Sequence, residues 1–160
     1  MPRKIIKGNT VVDDQWQVLE KDATDIPSGP VIVPFALWES QREQLSGREQ
    51  LGVWLDSDQS PKLIADDLSQ FAVVALNFPA FTDGRGFTYG RELREQHNYS
   101  GEIRAIGDFM RDQLFYLQRC GFDAYAIENT DIDAAVASLT VFSDTYQAAI
   151  DQPQPRFRRR

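Results

Sequence analysis

The chain predicts an α/β domain: a mainly parallel open sheet of five or six strands flanked by helices, with an N-terminal β-hairpin. Three observations lead there. Short apolar runs bounded by breakers recur along the 160 residues, as buried strands do. Segments of helical spacing separate those runs, and a helix between two strands is what lets neighbouring strands run parallel. The run "FAVVAL", from Phe71 to Leu76, is apolar without alternation, which suits a strand covered on both faces. A partial α/β barrel is the alternative, since a closed eight-stranded barrel needs roughly 250 residues.

In chain order, Ile5 to Ile6 and Trp16 to Leu19, with "KGNT" and "VVDD" between them, predict the hairpin. The loop "DATDIPSGP" leads into "VIVPFALW" and a polar, helix-like "ESQREQLSGRE". The remaining strand runs are "LGVWLD", "FAVVALNFP", "EIRAIGD" and "DAYAIEN". Between them, "SPKLIADDLSQ" begins with Ser60 as N-cap and Pro61 in the first turn, a favoured pair at helix starts. "GFTYGRELREQHN" places Phe87, Gly90 and Leu93 on one face. "DFMRDQLFYLQRCG" runs from Asp108 as N-cap through Met110, Leu114 and Leu117 to Gly121 just past the end, where a C′ glycine belongs. "TDIDAAVASLTVFSDTYQ" opens with Thr130 and Asp133 at capping-box spacing and carries Ile132, Val136, Leu139 and Val141 or Phe142 as its stripe. The expected organisation is one domain over 1–155, with the hairpin in 1–20, and a basic tail over 156–160.

At 42% hydrophobic residues, a chain of this length buries a core without a disulfide or a metal. Cys120 is the only cysteine, so neither an intramolecular disulfide nor a cysteine-held cluster can form within it. His97, the only histidine, excludes a multi-histidine metal site and suits a surface residue near a helix end. Trp16, Trp38 and Trp54 read as core fillers. No apolar run has the length of a signal peptide or of a membrane span, which leads to a cytoplasmic protein without a membrane partner. The net charge of −7 opposes a nucleic-acid partner. The tail "PRFRRR" holds Arg156, Arg158, Arg159 and Arg160, leaving 13 basic against 24 acidic residues, or −11, on the rest.

Two loops carry the candidate chemistry. "FTDGRG" follows a predicted strand and opens a helix, the place where open α/β sheets hold ligands. Gly84 and Gly86 with positive φ would let backbone N–H groups converge on an oxyanion, and Arg85 would add a bidentate fork. The competing reading is a plain turn in which Asp83 caps the helix and Arg85 pairs with a carboxylate. "GDFMRDQ" repeats the logic after the next strand: Gly107, Asp108, Arg111, Asp112 and Gln113 would face the same cleft, with Asp108 and Asp112 four apart on one helix face. Asp83, Asp108 and Asp112 are the candidate catalytic acids. Gly84, Arg85, Gly86, Gly107, Arg111 and Gln113 are the candidate anion or partner contacts, and the four tail arginines a docking handle. Asp56 and Asp58 in "LDSDQ" could chelate Mg²⁺ but suit capping as well. No cofactor is identifiable: Tyr89 stands where a dinucleotide fingerprint needs its third glycine, and no Walker motif occurs.

The blocks "VPFALW", "LGVWLDSD", "FPAFTDGRGFTYGRELRE", "GEIRAIGDFMRDQLFYLQRCGFDAYAI" and "FSDTYQAAIDQPQPRFRRR" together resemble the bacterial DUF934 family. The resemblance is most specific from Phe78 to Ala126. It implies candidate oxidoreductases of sulfite reduction, a description that rests on gene neighbourhood with sulfite reductase and assigns no catalytic residues. With no cofactor motif in the chain, the expectation is an accessory protein of assimilatory sulfite reduction that docks on sulfite reductase or its electron donor. The alternative is an enzyme acting on a small anion in the cleft between the two loops.

Overall fold

Strands linked by helical crossovers tend to lie beside their sequence neighbours, and here they do so for most of the sheet. The computed structural model describes residues 3–8, 10–80, 83–109, 113–126 and 135–137. A hairpin of β1 (Arg3–Lys7) and β2 (Thr10–Asp14) comes first, then β3 (Gln17–Val18) and β4 (Val31–Pro34). Helices α1 (Phe35–Ser40) and α2 (Arg42–Leu45) lead to β5 (Leu51–Leu55), and the 3-10 segment Pro61–Gln70 leads to β6 (Val73–Phe78). Helix α3 (Arg85–Glu95), β7 (Glu102–Gly107), α4 (Leu114–Arg119) and β8 (Ala124–Tyr125) complete the described elements.

The strands form one eight-stranded sheet in the order β2-β1-β8-β7-β6-β5-β4-β3. From β3 to β8 each strand pairs parallel with the next, whereas β1 pairs antiparallel with both β8 and β2. The α/β class and the N-terminal hairpin therefore stand. The sheet does not match the expected mainly parallel one of five or six strands: it is a mixed sheet of eight, curled into a half barrel.

Two causes account for the difference. The first arm of the hairpin pairs with the short strand β8 and so continues the sheet, in place of standing apart from it. Its second arm is "TVVDD", because Gly8 at φ 64° turns the chain within the two residues between Lys7 and Thr10, a connection of hairpin length. Trp16 to Leu19, expected as that second arm, supplies β3 at the opposite edge. The curl follows from coverage on one side. Buried residues of the helical segments, among them Trp38, Ile64, Leu93 and Leu117, all join the larger core cluster with Val33, Val53, Leu76 and Ala105 of the strands. The other face holds a smaller cluster of Ile32, Trp54, Val73, Ala75 and Ile106, against which Trp16 and Val18 pack. Neighbouring strands are twisted relative to one another, and tilt and stagger of such strands carry a sheet towards a barrel.

An ion pair reaches across part of the sheet. Arg104 on β7 meets Asp14 on β2, Nη1 to Oδ1 3.1 Å, across the intervening strands β8 and β1. Smaller features agree with the sequence. Ser60 Oγ accepts the Lys62 N–H, and Gly121 takes φ 104° just past α4. The Ser60 segment is 3-10, not α. Of the last predicted helix only 135–137 are described: they are helical, with Ala135 buried and Val136 packed on the core. Thr130, Ile132, Asp133, Leu139, Val141 and Phe142 lie outside the described residues, as does Met110. No described helix is long and apolar enough to cross a membrane.

Candidate functional site

The parallel strands β4 to β8 point their carboxyl ends to a common rim, where α/β sheets and barrels assemble sites. Asp56, just past β5, organises one part of it. Its Oδ1 accepts from Asn77 Nδ2 at 3.0 Å and from the Ser57 N–H at 2.8 Å, and Oδ2 accepts from Lys21 Nζ at 3.1 Å. Burial by itself would raise the pKa of Asp56, but these three donors outweigh it and hold the carboxyl below the usual aspartate value. The same hydrogen bond to Asp56 keeps the Lys21 ammonium above its ordinary value.

Arg85 opens α3 and is tied on both sides. Its Nε donates to Asp83 Oδ1 at 3.1 Å, and Nη2 donates to Asp83 Oδ2 at 2.8 Å and to Ser57 Oγ at 2.9 Å. Asp83 Oδ1 also accepts the Arg85 backbone N–H at 3.1 Å, so one carboxylate caps the helix and grips the guanidinium. That contact brings the pKa of Asp83 down to about 2 and raises that of Arg85. Tyr89, one turn on, donates its hydroxyl to the Ser57 carbonyl at 2.8 Å. The loop after β5 and the start of α3 are thereby locked together.

The glycines of this loop differ from expectation. Gly84 sits at φ −88° and Gly86 lies inside the helix, so neither takes a positive φ and no nest of N–H groups forms. They serve packing. A β-carbon on Gly86 would stand 2.5 Å from the Phe78 ring, and one on Gly90 2.6 Å from the Phe122 ring. Two glycines four apart on one helix face let α3 seat directly on two aromatic rings, Phe78 of β6 and Phe122 just before β8. Arg85's fork is likewise already filled by Asp83.

Gly107 is the residue whose backbone does demand glycine, at φ 93°. A β-carbon there would fall 2.3 Å from Asn77 Oδ1 and 2.5 Å from the Phe78 carbonyl oxygen. Asp108 N–H then donates to that carbonyl at 2.7 Å. The Gly107–Asp108 turn and the Asp83–Gly86 stretch thus belong to the same rim, on either side of the end of β6, with Asn77 between Asp56 and Gly107. Asp58 and Asp108 are exposed, and Gln113 is half-buried ahead of α4. Arg111, Asp112 and the tail arginines Arg156, Arg158, Arg159 and Arg160 lie outside the described residues.

The family model for bacterial proteins of unknown function, DUF934, matches residues 52–157. The chain belongs to the DUF934 family. Comparison with curated proteins and with solved structures gives no match. In the DUF934 chain the matched span takes in Asp56, Asn77, Asp83, Arg85 and Gly107, so every rim contact described above except that of Lys21 falls inside it.

Sequence reasoning missed Asn77, Ser57, Tyr89 and Lys21 as members of the rim. Asn77 had a signal: a polar residue in "FAVVALNF" asks for a buried partner. Lys21 had none, since its contact with Asp56 spans 35 positions. Asp56, weighed as a magnesium ligand, is ion-paired to Lys21. His97 pairs with Glu92, Nε2 to Oε2 3.1 Å, and Cys120 is buried, which pushes its thiol up.

Proposed function

We propose that the DUF934 protein is an accessory protein of assimilatory sulfite reduction and that its carboxyl rim, with the arginine tail, docks on sulfite reductase or its electron donor. The observation that carries this reading is the charge state of the rim. Four aspartates, Asp56, Asp58, Asp83 and Asp108, stand there against Lys21 and Arg85, and both cations are already engaged by Asp56 and Asp83. Such a surface repels small anions and attracts a basic protein face, whose encounter it speeds. Asp83, with a pKa of about 2, suits a permanent ion pair better than proton transfer near neutrality. The test is a binding assay between the full chain and intact sulfite reductase or its donor. Binding that weakens with salt and in the double variant Asp58→Asn, Asp108→Asn supports rim docking, and a variant lacking Arg156 to Arg160 isolates the tail. No binding by the wild-type chain to either protein overturns the proposal.

A second reading is kept alive by Arg85, whose side chain is 56% exposed despite its ion pair. In it, the DUF934 protein acts on a small anion between the two loops, with Arg85 and Arg111 neutralising charge and Asp83, Asp108 or Asp112 moving protons. It expects sulfite, sulfate or phosphate to raise the melting temperature of the wild type but not of Arg85→Ala. A panel without any such shift removes it.

A further inference from the structure

The pair Asp83–Gly84 is the only Asp-Gly in the 160 residues, and Asn-Gly does not occur. Aspartate before glycine is chemically restless. The main-chain nitrogen of the glycine attacks Cγ of the aspartate, the N–H proton and the carboxyl hydroxyl leave as water, and a succinimide ring closes. Water then opens the ring at either carbonyl and returns aspartate or its β-linked isomer, isoaspartate, so no reactant other than water is needed. Glycine favours the attack because no β-carbon crowds its nitrogen and its backbone turns freely.

Two conditions govern ring closure: the carboxyl must carry a proton in order to lose its hydroxyl, and Cγ must swing over the glycine nitrogen. Arg85 opposes both. Oδ1 of Asp83 accepts the Arg85 backbone N–H and the Nε–H, each at 3.1 Å, and Oδ2 accepts Nη2 at 2.8 Å. Both oxygens are therefore held towards residue 85, one position beyond the nitrogen that reacts. Nη2 is itself anchored on Ser57 Oγ at 2.9 Å, so the fork cannot follow the carboxylate if it turns. The guanidinium also keeps the carboxyl ionised, with a pKa of about 2. Packing gives the pair little shelter: Gly84 is exposed, and a β-carbon there would meet only the Phe87 ring, at 3.9 Å.

We propose that Asp83–Gly84 is the site at which this protein isomerises its backbone, and that the Arg85 fork is the lock that sets the rate. The isomer carries an extra methylene in the main chain and displaces the carboxylate, which undoes the cap on α3 and the tie through Arg85 to Ser57. The proposal is independent of rim docking. It is tested on the full chain incubated near neutral pH in water enriched in ¹⁸O, with chromatography and mass spectrometry of the peptide that holds Asp83. Each passage through the succinimide adds a solvent oxygen, and isoaspartate elutes apart from aspartate. Wild type is compared with Arg85→Met and with Arg85→Lys, which keeps the charge and loses the fork, and circular dichroism checks the fold of each. Labelling of Arg85→Met is expected to be about tenfold faster than that of wild type, the change in protonated fraction that one pKa unit brings, with Arg85→Lys between them. If Arg85→Met loses the wild-type spectrum, Arg85→Lys decides. Adding Gly84→Ala to Arg85→Met is expected to slow labelling again, because its β-carbon crowds the attacking nitrogen. Equal rates in wild type and both Arg85 variants, labelling that Gly84→Ala leaves undiminished, or faster labelling at another aspartate of the Arg85→Met chain overturns the proposal.

Discussion

A β-carbon at Gly86 would stand 2.5 Å from Cζ of Phe78, whose ring is hemmed in by Phe87, Phe109 and Phe122. Overpacking of that kind costs about 1–3 kcal/mol, of which the better helix propensity of alanine returns about 1 kcal/mol. Gly86→Ala is therefore expected to melt earlier than wild type by circular dichroism. Gly84→Ala, with its nearest neighbour at 3.9 Å and an ordinary φ, stays within about 0.5 kcal/mol. Asp83 adds a pH signature. Its folded pKa of about 2 lies below the unfolded value of about 3.9, so its contribution is complete above ~4 and is lost as the pH falls towards ~2. Urea unfolding of wild type and Asp83→Asn should differ by a constant amount at neutral pH and converge in acid. That these residues matter was legible in "DGRG", as was the alternative role of Asp83 as cap and partner of Arg85. The reason for the glycines was not, because it lies in the Phe78 ring across the layer.

At the scale of elements, the 3-10 segment Pro61–Gln70 starts on a side-chain cap, Ser60 Oγ to Lys62 N–H. Ser60→Ala is expected to lose about 1 kcal/mol, read as a lower midpoint in urea. Signals confined to neighbouring residues were read correctly: the Ser60–Pro61 start, Gly121 behind α4, and the apolar strands. Signals that need a partner were not. Trp16 to Leu19 has the composition of a hairpin arm, yet it pairs with β4 at the far edge, while Gly8 hands the role of second arm to Thr10–Asp14. The two-residue spacing after Lys7 was the local clue to that arrangement.

For the whole molecule, the alternation of strand and helix identified the α/β class, but the buried ion pair across the sheet joins residues 90 positions apart, Asp14 and Arg104. No short window of sequence contains that pair. Arg104→Leu is expected to lose about 3–5 kcal/mol, because Asp14 and Glu102 would stay buried beside an apolar side chain; chemical denaturation measures it. The sheet also has ends. As described, its last strand on one side is β2, whose outer backbone groups meet no further described strand. A stretch beginning Thr-Val-Val at the edge of a sheet is a template for a second chain to add onto, and an exposed charge such as that of Asp13 is what natural proteins use to discourage such stacking. Asp13 thus stands where its charge works against edge-to-edge growth into fibres, while Asp14 is held by Arg104.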